Sequence, residues 1–61
     1  MDTYRIIIAE PSGYHRERYV VRALTPRQAI LQARQRYMLV YPDASRDVKG
    51  TVVDLFDNPI N

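Results

Sequence analysis

Sixty-one residues make one small domain, 1–61, with no room for a separate catalytic lobe. The absence of cysteine excludes disulfides and thiolate metal sites, and a net charge of +2 is too small to identify a partner by itself. A core at this length is worth about 3–5 kcal/mol at most, so strong local signals and a second subunit are the expected sources of stability.

The chain begins with a run, Thr3–Ala9, that alternates weakly. Tyr4, Ile6 and Ile8 share one face, and the charge at Arg5 marks the other face, with Ile7, as the outer one. Glu10-Pro11-Ser12-Gly13 reads as a turn, with proline presetting φ and glycine closing it. From Glu17 to Ala23 the alternation is clearer: Tyr19, Val21 and Ala23 point one way, Arg18, Val20 and Arg22 the other. The two runs predict an antiparallel hairpin of strands 3–9 and 17–23.

A helix over 26–40 carries the most specific local signal. Thr25 is an N-cap, Pro26 occupies the first helical position, and Gln28 lies three residues after the cap. On the helical wheel Ile30, Ala33 and Tyr37 share the centre of the buried face, with Ala29 and Val40 beside them. Gln28, Gln32 and Gln35 lie opposite, and Arg27, Leu31, Arg34 and Met38 form a mixed stripe between. Pro42 ends the helix at the latest, because the residue before proline avoids helical angles.

A polar connection, Asp43–Asp47, leads to a last strand over 48–56. Val53 and Leu55 are expected to face the core, with Val52, Asp54 and Phe56 outward. Gly50 is read as a bulge or bend, and Asn58–Asn61 as a frayed end. The element order β-β-α-β predicts an α+β fold: a three-stranded antiparallel sheet in the order 2-1-3, with one helix on one face. That order places Ile6-Ile7-Ile8 in the middle and needs no adjacent parallel pair.

Functional equipment is sparse. No apolar run approaches the length of a membrane span, and Met1–Arg5 does not open a signal peptide, so a cytoplasmic protein is expected. His15 is the lone histidine, no glycine-rich phosphate loop occurs, and Glu17 reads as a solvated strand-start residue. No catalytic residue, metal ligand or cofactor is assigned, and the chain is not expected to be an enzyme.

The distribution of charge says more. Between Arg16 and Arg36 six arginines face one acid, Glu17, and arginine outnumbers lysine eight to one over the chain. Guanidinium groups suit carboxylate, phosphate and aromatic partners. One helix shields one side of three strands, so Arg5, Ile7, Arg18, Arg22 and Phe56 on the other side are the first candidates for partner contact. Tyr14 and His15 in the hairpin loop, and Arg27, Leu31, Arg34 and Met38 on the helix flank, come second. The expected function is a non-enzymatic protein-interaction module that docks on another protein or on itself, with a homodimer favoured. Its size and bare sheet suit the small accessory or inhibitor proteins of phages and mobile elements. The alternative is an RNA- or DNA-binding module using the same arginines with Tyr14 and His15.

Overall fold

The computed structural model describes residues 1–13, 15–44 and 47–60. Its elements are β1 (Asp2–Ala9), β2 (Arg16–Ala23), α1 (Pro26–Val40) and β3 (Lys49–Val53). The strands form one antiparallel sheet in the order β2-β1-β3, with α1 packed against all three. This is the α+β architecture expected from the hydrophobic pattern, with the apolar β1 in the centre. No described helix is long and apolar enough to cross a membrane.

Local chemistry explains each boundary. In the hairpin loop the Gly13 amide donates to the Glu10 carbonyl at 2.9 Å, and Gly13 takes φ +76°, a conformation costly for side-chain-bearing residues. Thr25 accepts at Oγ1 from the Gln28 amide at 3.2 Å, opening α1 with Pro26 in its first turn. The Tyr41 amide closes the helix on the Tyr37 carbonyl at 2.8 Å.

The core lies between α1 and one sheet face. Ile6, Ile8, Val21, Ala23 and Val48 meet Ala29, Ala33 and Tyr37 there. The two helix alanines are fully buried, and their small side chains let α1 approach the strands closely. Val40 is instead exposed: at the last turn Tyr37 and Tyr41 fill the side that meets the sheet.

The third strand departs from the sequence expectation in three ways. It ends at Val53, because the Asp54 carboxylate caps a turn, accepting at Oδ1 from the Phe56 amide (2.8 Å) and the Asn58 amide (2.9 Å). Its faces are inverted: Val52 lies opposite Ile6 and packs on the core, whereas Val53 lies opposite Arg5 on the far face. Leu55 is 72% exposed. Alternation could not decide between adjacent valines; Gly50 does. It stands opposite Ile8 in an unbroken register, with no bulge, and a Cβ there would lie 2.6 Å from Ile30 Cγ2. The glycine is the recess into which α1 sets Ile30.

The far face is not bare. Residues 54–60 turn back along β3: the Asp54 amide donates to the Asn58 carbonyl at 2.9 Å, and the Ile60 amide to the Val52 carbonyl at 2.9 Å. A bridge pairs Val53 with Pro59. The expected fraying of Asn58–Ile60 is therefore overturned by backbone pairing, while Asn61 lies outside the described residues. Asp57 and Pro59 share a depression with Ile7 and Val53, which are only 8% and 4% exposed.

Candidate functional site

Two surfaces collect the residues singled out in the sequence, and they lie on opposite sides of the molecule. The first is the sheet face away from α1. Antiparallel register aligns its rows as Arg22–Thr3, Val20–Arg5–Val53, Arg18–Ile7–Thr51 and Arg16–Ala9–Lys49. Among the described residues this face thus carries Arg5, Arg16, Arg18, Arg22 and Lys49. Asp57 is laid across it, its carboxylate accepting from Arg18 Nη2. Val20 is 54% exposed between these cations, and Arg16, Arg18 and Arg22 are exposed as well.

Several expectations change on this face. Ile7 belongs to it but is buried and offers a partner little surface. Phe56 is 82% exposed but stands in the turn after β3 and not on the strand. Arg5 is half-buried, while Arg18 and Arg22 are exposed as expected. Arg16 and Lys49 join the face by parity once the register is known. Their strand-end positions hid them from a reading of the central residues. Tyr14 lies outside the described residues.

His15 does not accompany the arginines. It packs on the helix side, edge-on to Tyr41 with ring centroids 4.6 Å apart and to Tyr37 at 6.0 Å. Its Nε2 is 3.0 Å from Glu17 Oε1, which also accepts from the Tyr41 hydroxyl at 2.7 Å. Glu17 shares the parity of Tyr19, Val21 and Ala23, so the strand delivers it to the end of α1. Its side chain remains partly solvated, as read from sequence, but two side chains bind its carboxylate. Bonds from Tyr41 and His15 hold its carboxyl below the ordinary 4.5. The same bond to Glu17, with burial, pushes the Tyr41 phenol up to about 12. Burial raises the Tyr37 phenol too, with the Glu10 carboxylate adding to it. Tyr37 Oη is buried and has no hydrogen bond of ordinary geometry among the described residues. This aromatic cluster joins hairpin to helix, with His15 and Tyr41 both bound to Glu17.

The second surface is the flank of α1. Leu31, Arg34 and Met38 line a shallow depression with Gln35 and Leu39, and Arg27, Leu31 and Arg34 line a neighbouring one. Leu31 and Leu39 are exposed at 54% and 83%, whereas Met38 is half-buried against the core. Arg34 is half-buried and Arg27 exposed. The helix thus separates this group from the sheet-face arginines, and the two cannot form one site.

No group of three or more His, Asp or Glu side chains among the described residues is placed to hold a metal ion. Comparison with known protein families, curated proteins and solved structures finds no match to this chain.

Proposed function

We propose that the protein is a small non-enzymatic interaction module that docks through the sheet face opposite its helix. The observation that carries this reading is the five-cation face itself. Arg5, Arg16, Arg18, Arg22 and Lys49 are gathered from three strands around exposed Val20, with the Asp57 carboxylate laid over Arg18. Arginines around an exposed apolar side chain suit an interface, where arginine is enriched. The partner is another protein or a second copy of the chain, as suits a small accessory or inhibitor protein.

A double charge reversal, Arg16→Glu with Arg22→Glu, tests this, with Arg27→Glu and Leu31→Ser on the helix flank as the control. The sheet-face variant should keep its circular dichroism spectrum and lose a partner protein captured by the wild type; the control should keep it. Loss with the control alone would move the site to the helix. Sedimentation of the pure protein separates self-association from binding of a foreign protein. A nucleic-acid reading draws on the same arginines, but His15 is engaged by Glu17 and the tyrosines. Binding to unrelated oligonucleotides that falls steeply with salt would favour it.

A further inference from the structure

The two edges of the sheet are treated differently. Beyond β3 the Val52–Val53 end of the outer edge is taken up by the chain itself, through the Val53–Pro59 bridge and the Ile60 amide on the Val52 carbonyl. Beyond β2 no described strand follows. β2 is eight residues long, Arg16–Ala23, and every second residue turns its amide and carbonyl away from β1. Such an edge is a template for one more strand.

We propose that β2 accepts an extended acidic segment of a partner protein as a fourth strand. The proposal rests on the docking reading above and names the chemistry of the partner. On the open-face side this edge presents Arg16, Arg18, Val20 and Arg22. Glu17, the acid within the strand, points to the other side and is held by Tyr41 and His15, so it does not offset them, while Asp57 engages Arg18. On the helix side Tyr19 is half-buried. An incoming strand with acids at alternate positions places acids beside Arg16, Arg18 and Arg22 and one beside Val20, while its backbone completes the hydrogen-bond ladder.

A second copy of the chain is a poor occupant. A two-fold antiparallel β2–β2 pair brings same-face residues opposite one another. The two registers that use most of the strand, centred on Tyr19 or Val20, set Arg16 or Arg18 opposite the partner's Arg22. Like charges directly opposite oppose pairing.

The test uses the full chain and a labelled, blocked octapeptide of alternating glutamate and valine, followed by fluorescence anisotropy. The peptide should bind, and the alternating lysine–valine peptide should not. Arg16→Glu with Arg22→Glu should weaken binding about tenfold or more. Two N-methylated peptides probe the edge itself, one methylated on its valines and the other on its glutamates. One pattern should abolish binding and the other leave it, because alternate amides of a strand point to opposite edges. Equal binding of both would overturn strand addition, as would binding of oligo-dT with none of the glutamate–valine peptide. If the peptide fails while the double reversal still loses a captured protein, the edge proposal falls and the docking reading stands. If the reversal loses nothing, both fall.

Discussion

Arg18 on β2 and Asp57 in the turn after β3 form an ion pair that spans the width of the sheet above the buried Ile7. Asp57 reaches it from a left-handed backbone conformation, φ 63°, which costs most side-chain-bearing residues about 1–2 kcal/mol and asparagine or aspartate less. The turn is thus held by charge at one end and by the Val53–Pro59 bridge at the other.

Substitutions at Asp57 separate the two effects. Asp57→Asn keeps the backbone tolerance and removes the charge, and should cost less than about 1 kcal/mol, the range of exposed pairs. Asp57→Ala loses both and should cost about 1–2 kcal/mol. Urea denaturation at low and high salt reads this. The gap between wild type and Asp57→Asn should shrink with salt, and an unchanged gap would show that the pair contributes nothing by charge.

Gly50→Ala tests the recess under α1. The added Cβ would lie 2.6 Å from Ile30 Cγ2 and 3.1 Å from Ile8 Cδ1, and Cγ2 branches too near the backbone to move away freely. Overpacking of this kind costs about 1–3 kcal/mol. In a double-mutant cycle with Ile30→Ala the paired loss should be smaller than the sum of the single losses. Additive losses would mean that the glycine is needed for some other reason.

The acid and alkaline limits of stability should both pass through Glu17. Its folded-state pKa is below the ordinary 4.5, so its contribution is full above pH 4.5 and is lost as pH falls through the lowered value. Tyr41 is raised from 10.0 to about 12, so its contribution is full below pH 10 and is lost as pH rises through about 12. Glu17→Gln should flatten the acid limb of the denaturation midpoint. Tyr41→Phe should delete the phenolate absorbance step near pH 12. An unchanged acid limb in Glu17→Gln would dismiss the cluster as a stabilising contact.

Tyr37→Phe should leave stability unchanged or raise it. The hydroxyl is buried without a hydrogen bond of ordinary geometry among the described residues, so removing it relieves a desolvated group while the ring packing stays. Tyr41→Phe, by contrast, should lower stability, since it breaks the bond to Glu17. Thermal melts of the two variants side by side decide the matter, and a destabilised Tyr37→Phe would reveal a partner for that hydroxyl.

Thr25→Ala removes the helix cap and should cost about 1 kcal/mol. For a domain of this size that corresponds to a fall in Tm of about 4–8 °C. A serine at the same position should restore most of it.

Helix α1, the hairpin and the strand order were determined by the sequence alone. The Thr25-Pro26 start, the Pro42 stop and the period-two alternation of Tyr19, Val21 and Ala23 are local signals, and each acts through its nearest neighbours. The positions of Arg5, Arg18 and Arg22 on the open face followed from the same parity. What only the tertiary structure decided are the features joining residues far apart in the chain. Val52 and Val53 are both apolar, so their faces were set by Gly50 meeting Ile30, a contact between strand and helix. Glu17 met Tyr41, and Asp57 met Arg18, because the packing of α1 and the turn at Asp54 carried them there. Alternation assigns a residue to a side of its own strand; what waits on that side depends on how distant elements dock.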